Sequence, residues 1–186
     1  VLAVSTFLAA VVFYAGELYW LAIPTVPGYI GAVIFCALFW PAFGLVAAMI
    51  VRRTRLPLAA VAPIVWVPLE WLRAYLLTGF PWLLVGHSQA ACPTLLQVVD
   101  LTGAYGLSAL AAATAGLAVD LITRPLFLRY GDRMRWSLSL KLSAAALMAA
   151  WAAVIGYGHY RLRPVAMTDG PRVVVVQPNV PQSVRE

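Results

Sequence analysis

The chain has 186 residues, 63% hydrophobic and 11% charged, with mean hydropathy +0.87; an ordinary soluble domain is about half apolar and about a quarter charged, so the composition describes an integral membrane protein. Thirteen Lys and Arg against seven Asp and Glu give a formal charge of +6, but the basic residues gather in short segments between apolar runs, which excludes a nucleic-acid partner as the leading reading. Two cysteines cannot build a disulfide framework or a four-thiolate metal site, so neither a metal nor a cofactor is expected.

A spanning helix needs about 20 mostly apolar residues, because in hydrocarbon the backbone finds no hydrogen-bond partner but its own helix. Residues 1–16 are apolar throughout but short. With Val1 in place of Met and no basic stretch ahead of it, this segment reads as the remainder of a helix begun upstream, and the chain as a piece of a longer one. Residues 30–51 carry no charge and 56–77 only Glu70 and Arg73; both read as spans. Residues 104–122 and 138–158 are Ala-rich and reach spanning length if Asp120 and Lys141 sit near an interface. The predicted architecture is an all-α polytopic membrane domain of about five transmembrane helices over 1–163.

Lys and Arg close to span ends stay on the cytoplasmic side. Loop 52–55 holds Arg52, Arg53 and Arg55, and 124–141 holds Arg124, Arg129, Arg133, Arg135 and Lys141, whereas 17–29 and 78–103 hold no basic residue. The latter two, and the C-terminal tail, are therefore expected to face outward. Arg161 and Arg163 lie on that side against the bias, two residues against eight. After Arg163 the composition changes. Pro164 and Gly170-Pro171 punctuate a linker, and Arg172-Val173-Val174-Val175-Val176-Gln177, closed by Pro178-Asn179, reads as a strand and turn. A strand apolar on both faces belongs inside a covered sheet, so 164–186 is expected to open a soluble domain that is cut off at Glu186.

Glu70 and Arg73, spaced i, i+3 on one helix face, fall in the outer leaflet on this topology, and an intramembrane charge pair is costly enough to mark either a functional site or a structural ion pair. The outward stretch Gly79 to Gln89 is nearly as apolar as the spans, yet Gly79, Pro81 and Gly86 break any helix. It should dip into the interface, where an apolar, Trp-bearing segment can admit a lipid chain or serve as an ordinary anchored turn. His87, Ser88, Cys92 and Asp100 share the region, but the strand-turn-helix elbow of a hydrolase is absent and adjacent His and Ser do not face each other. Cys36 reads as packing, Cys92 lacks a cation to activate it, and Asp120 with Arg124 reads as a surface ion pair. Ala112 and Gly116 have the small-xxx-small spacing of close helix contact.

Trp66-x-x-x-Glu70-Trp71-x-Arg73, Thr78-Gly79-Phe80-Pro81-Trp82, Gly86-His87-Ser88-Gln89, Gln97 and Gly103-Ala104-Tyr105-Gly106-Leu107-Ser108 together resemble the membrane domain of bacterial apolipoprotein N-acyltransferases. The tail, Val173 to Gln182, is similar to the segment that opens the nitrilase-like domain in that family. The resemblance implies a truncated α/β nitrilase-like domain from 164 onward. It also implies an acyltransferase of the bacterial inner membrane that moves an acyl chain from phospholipid to the N-terminal diacylglyceryl-cysteine of an apolipoprotein. The family's reaction runs through a thioester on a nitrilase-type Cys with a Glu base and a Lys. That triad lies in the nitrilase-like domain, so no catalytic residue is assigned in this chain and the piece alone is expected to be inactive. Glu70, Arg73, Phe80, Trp82 and Gln89 are the expected substrate-binding residues. The expected partners are the phospholipid acyl donor, the apolipoprotein acceptor and membrane lipids, with the protein a monomer. Two alternatives stand beside this reading: a non-catalytic membrane anchor or scaffold, and the membrane module of another lipid-processing enzyme. A transporter would put polar groups at the midplane of broken, repeated helices, and neither repeat nor midplane group is present.

Overall fold

The computed structural model describes residues 1–123, 138–163, 170 and 173–176, together with the backbone of 127–130 and 133–136. Helix α1, Leu2–Glu17, is apolar from end to end and runs into a 3₁₀ turn at Tyr19–Ala22. Thr25 then starts α2, Val26–Ala37: its hydroxyl accepts from the Gly28 N–H at 3.3 Å, and Pro27 sits in the first turn, where no backbone donor is needed. The helix begins four residues before the predicted span at Ile30.

The run 30–51 is broken rather than continuous. α2 ends at Ala37, Leu38 intervenes, and α3 runs Phe39–Thr54. Pro41 explains the break. It has no N–H to give the Ala37 carbonyl and its ring crowds that carbonyl, so a new first turn, where Pro is tolerated, replaces the continuing helix. Arg55 closes α3 in the left-handed region (φ 57°), its N–H reaching the Val51 carbonyl at 2.9 Å, and Pro57 forbids continuation.

Helix α4, Leu58–Tyr75, contains Pro63 and Pro68. Its first turn has no side-chain cap of its own; the carboxylate of Asp120, 61 residues away, accepts the Ala59 N–H at 2.9 Å. Asp120 is 2% exposed, so it is not at the surface as expected: it is a buried cap that also places negative charge at the positive end of α4, while Arg124, its expected ion-pair partner, lies outside the described residues. Short helices α5, Pro93–Leu96, and α6, Val99–Thr102, lead into α7, Ala104–Thr123. α4 and α7 lie close together because Gly116 carries no side chain: a Cβ there would stand 2.6 Å from the Leu58 carbonyl oxygen. Strands β1, Phe127–Tyr130, and β2, Arg133–Trp136, form an antiparallel hairpin with Phe127 opposite Trp136 and Tyr130 opposite Arg133. Sequence reading took this stretch as a plain basic loop. α8, Leu138–Arg161, follows.

Three helical units among the described residues are long and apolar enough to cross a membrane: Val26–Thr54 taken across its break, α7 and α8. α1 is shorter, with 16 residues, and α4 carries two charges and two prolines. Buried clusters join the helices in sequence. Ala10, Tyr14, Leu18, Val33, Cys36 and Ala37 tie α1 to α2; Ala47, Val61 and Val65 tie α3 to α4; Val98, Leu107 and Val154 tie α6, α7 and α8. Elsewhere large apolar side chains face outward, among them Val12, Ile64, Ile122 and Met148, as lipid-facing surfaces require.

The predicted strand does not form over the described part of the tail. Val173–Val176 are 76–88% exposed and in no strand. An all-apolar strand needs paired neighbours on both edges, and among the described residues none lies beside it; the remainder of the predicted segment, Arg172 and Gln177–Asn179, lies outside the described residues.

Candidate functional site

The last two turns of α4 and the loop that follows form one unit. After Tyr75 the chain tightens into a 3₁₀ turn, Leu76–Thr78, with Leu77 at φ 52° and Gly79 at φ 83°. A side chain on Gly79 would collide with the Ala74 carbonyl oxygen, so only glycine permits this exit. Leu83 also has positive φ, 54°. Three left-handed residues in seven turn the loop back over the helix end, at a cost that surrounding contacts must offset.

Those contacts come from Glu70 and Arg73. Both are buried, at 2% and 1% exposure. The expectation of a self-satisfying ion pair is corrected: each reaches for the loop. Glu70 Oε1 accepts the Val85 N–H at 2.7 Å. Arg73 Nη2 donates to the Leu83 carbonyl at 3.2 Å, Nη1 donates to the Tyr14 hydroxyl at 2.7 Å, and the guanidinium lies 5.7 Å from the Tyr14 ring centroid. An acceptor at i and a forked donor at i+3 thus hold an N–H and a C=O of the same loop strand, and charge-assisted bonds of this kind are roughly twice as strong as neutral ones. The Phe80 N–H bonds the Arg73 carbonyl at 3.0 Å. Glu70 Oε2 finds no hydrogen-bond partner among the described residues.

A third anchor comes from α7. Ser108, fully buried, accepts the Gly86 N–H at 2.8 Å, and a Cβ on Gly86 would collide with the Ala104 carbonyl oxygen. The backbone is therefore clamped at Leu83, Val85 and Gly86 between α4 and α7, and a second 3₁₀ turn, Val85–Gln89, follows. Between these clamps and Gly79 the aromatic side chains project. Phe80 stacks near Trp82 (6.1 Å, 21°), Trp82 lies 4.9 Å from Trp20, and Phe80 and Leu83 pack on the α1–α2 cluster. Trp82 remains 51% exposed, an apolar ring offered outward from a rigid base.

The structure thus brings Glu70, Arg73, Phe80 and Trp82 together. Gln89 stands at the far end of the unit, its amide donating to the Ser88 hydroxyl at 2.9 Å while that hydroxyl donates to the Val85 carbonyl at 2.7 Å. Ser88 is engaged by the backbone, which speaks against a nucleophile. Cys36 is buried and Cys92 exposed, both as free thiols. Val85 also lines an apolar pocket of about 270 Å³ together with Trp40, Phe43, Trp66, Ala112 and Gly116. Sequence reasoning did not single out Tyr14, named Ser108 only as the end of a motif, and gave Asp120 a surface role. Each is one of a few polar residues in a mostly apolar helix, and only a buried partner on another element distinguishes it from a tolerated one.

Apolar helices of spanning length carrying a clamped, aromatic-tipped loop define a helical membrane domain. The chain belongs to the apolipoprotein N-acyltransferase family: residues 2–117 match the family model described as the apolipoprotein N-acyltransferase N-terminal domain. Among curated proteins it is 31% identical over 190 residues to the apolipoprotein N-acyltransferase of Geobacter metallireducens, covering 96% of this chain and 35% of that protein. It is 51% identical over 57 residues to the one from Rhodopirellula baltica (31% of this chain, 10% of that protein), and 31% identical over 124 residues to the one from Rickettsia prowazekii (66% and 23%). The chain thus spans about a third or less of the length of these relatives. No solved structure matches significantly.

Proposed function

We propose that residues 1–163 form the membrane part of a bacterial apolipoprotein N-acyltransferase. In this reading the five helical units α1, α2–α3, α4, α7 and α8 cross the inner membrane, with the 79–103 region and the tail outward. The complete polypeptide transfers an acyl chain from phospholipid to the N-terminal diacylglyceryl-cysteine of apolipoproteins, and residues 164–186 lead into the nitrilase-like domain that holds the catalytic Cys, Glu and Lys. The membrane part supplies the platform. Phe80 and Trp82 border the path of the lipid chain, Gln89 lies at its outer edge, and Glu70 and Arg73 hold that border still.

The observation that carries this reading is the family match over 2–117, which includes the clamped loop whole. Its geometry supports the assignment. Two charges buried beside apolar helices are expensive unless bonded, and here they hold a loop whose aromatic tip stays outward. Rigid placement of a substrate-bordering element is what acyl transfer between two membrane-borne reactants needs.

The test is complementation. In cells depleted of their own N-acyltransferase, the complete native polypeptide should restore N-acylated lipoprotein, seen as the added acyl mass on the N-terminal peptide. Residues 1–186 alone should not. Failure of the complete polypeptide, expressed and inserted, overturns the reading.

A further inference from the structure

The basic-inside bias makes Arg161 an anomaly, since it ends α8 on the side expected to face outward; an Arg placed against that bias asks for a local reason. The structure supplies one. Asp100 on α6 receives Arg161 Nη2 at 3.1 Å and the Tyr157 hydroxyl at 3.0 Å from Oδ1 and 2.9 Å from Oδ2. Tyr157 and Arg161 are i, i+4 on α8, so one carboxylate gathers two donors from a single face of the helix's last turns. One turn of chain away the helix is seated more closely still: Gly158 is buried, and a Cβ there would collide with the Thr94 carbonyl oxygen of α5.

A half-exposed ion pair alone is worth little. Here it is the outer member of a set. The Asp100 cluster, the Gly158–Thr94 contact and the Val98–Leu107–Val154 core together fasten the end of α8 to the 93–102 segment. That segment is continuous through Gln89–Cys92 with the loop clamped by Glu70, Arg73 and Ser108. The point at which the chain leaves α8 is thereby referenced to the same rigid body as Trp82.

We propose that Asp100 is a positioning residue: by holding Tyr157 and Arg161 it fixes the exit of α8 relative to the 79–89 loop. The consequence for acyl transfer rests on the function proposed above; the consequence for position does not. The family match ends at residue 117, so two of the three members, Tyr157 and Arg161, lie outside it.

The experiment uses the complete native polypeptide in nanodiscs; the labelled samples carry Cys92→Ser, Ser in place of the catalytic cysteine of the nitrilase-like domain, and spin labels at Ala90→Cys and Leu162→Cys, the latter side chain exposed at the end of α8. Label-to-label distances are measured on the labelled samples, and N-acylation of a diacylglyceryl peptide on unlabelled enzyme with its native cysteines, for the parent, Asp100→Ala, Asp100→Glu and, should Asp100→Ala not fold, Arg161→Gln. The distance distribution should broaden in Asp100→Ala and Arg161→Gln and stay narrow in Asp100→Glu. kcat/KM should fall about tenfold, through kcat more than KM, because small misplacements of reacting groups are costly. An unchanged distribution in Asp100→Ala or Arg161→Gln overturns the tether. A broadened one with unchanged kcat/KM overturns its role in positioning for the reaction. A parent with no N-acylation overturns the proposed function instead, and the distances then decide the tether.

Discussion

Arg73 on α4 and Tyr14 on α1 meet through a 2.7 Å hydrogen bond inside the protein, with the guanidinium also 5.7 Å from the ring centroid of the same tyrosine. Fifty-nine residues separate them. The contact ties the first helix to the base of the 79–89 loop, because the other arm of Arg73 holds the Leu83 carbonyl. One buried side chain thus sets the relative placement of α1, α4 and the loop.

Tyr14→Phe should keep the ring beneath the guanidinium and lose only the acceptor. A buried donor left unpaired costs about 1–3 kcal/mol, so thermal unfolding in detergent should shift downward with the fold retained. Arg73→Lys should cost at least as much, since a single ammonium cannot reproduce the fork that reaches both Tyr14 and Leu83.

Glu70→Gln and Glu70→Leu should separate acceptor from charge. Gln keeps an oxygen for the Val85 N–H and should leave the loop in place. Leu leaves that N–H unpaired, at about 1–3 kcal/mol, and should raise amide hydrogen exchange at Val85 and Gly86 several-fold. Equal exchange in the two variants would show that Glu70 Oε1 does not hold the loop.

Gly86→Ala should push the loop off α7, because the new Cβ meets the Ala104 carbonyl oxygen, which is backbone and cannot yield cheaply. Ser108→Ala, which removes only the acceptor, should be milder. Labelling of Cys92, exposed in the parent, serves as an internal reference, while an introduced cysteine at Trp82 reports the displacement through its reactivity.

Asp120→Ala should unfasten the start of α4. Loss of an N-cap costs about 0.5–2 kcal/mol, and the first effect should be faster exchange at the Ala59 and Ala60 amides. Asp120→Asn keeps an acceptor and should recover most of the protection. No difference between the two would remove the cap from the account.

The helical units were legible where an apolar run of spanning length ends in a clear signal: Pro57 before α4, Gly103 before α7, the Arg pair closing α3. The break at Leu38 was legible in principle from Pro41 but is hidden by the unbroken apolar composition around it. Glu70 and Arg73 stood out because charge in an apolar helix is rare, and their partnership was misread because i, i+3 spacing permits an ion pair without requiring one. The partners of Tyr14, Ser108 and Asp120 were invisible for a different reason. Each acquires its role from a residue 22 to 61 positions away, and local pattern carries no information about such contacts. The β1–β2 hairpin was missed because its three arginines, Arg129, Arg133 and Arg135, were read for topology alone. Val173–Val176 are in no strand among the described residues, since pairing is a property of the sheet and not of the run.

The most direct test of the central claim, that the clamped loop borders the lipid path of an acyl transfer, is kcat/KM for N-acylation of a diacylglyceryl peptide by the complete polypeptide with Trp82→Ala. Trp82 is half exposed and holds none of the clamps, so the fold should be retained, with only a modest fall in unfolding temperature from lost packing on Trp20 and Phe80. Activity should fall about tenfold or more, the scale expected when a positioning surface is lost. Unaltered kcat/KM in the folded variant would contradict a lipid-bordering role and leave the loop as a structural turn.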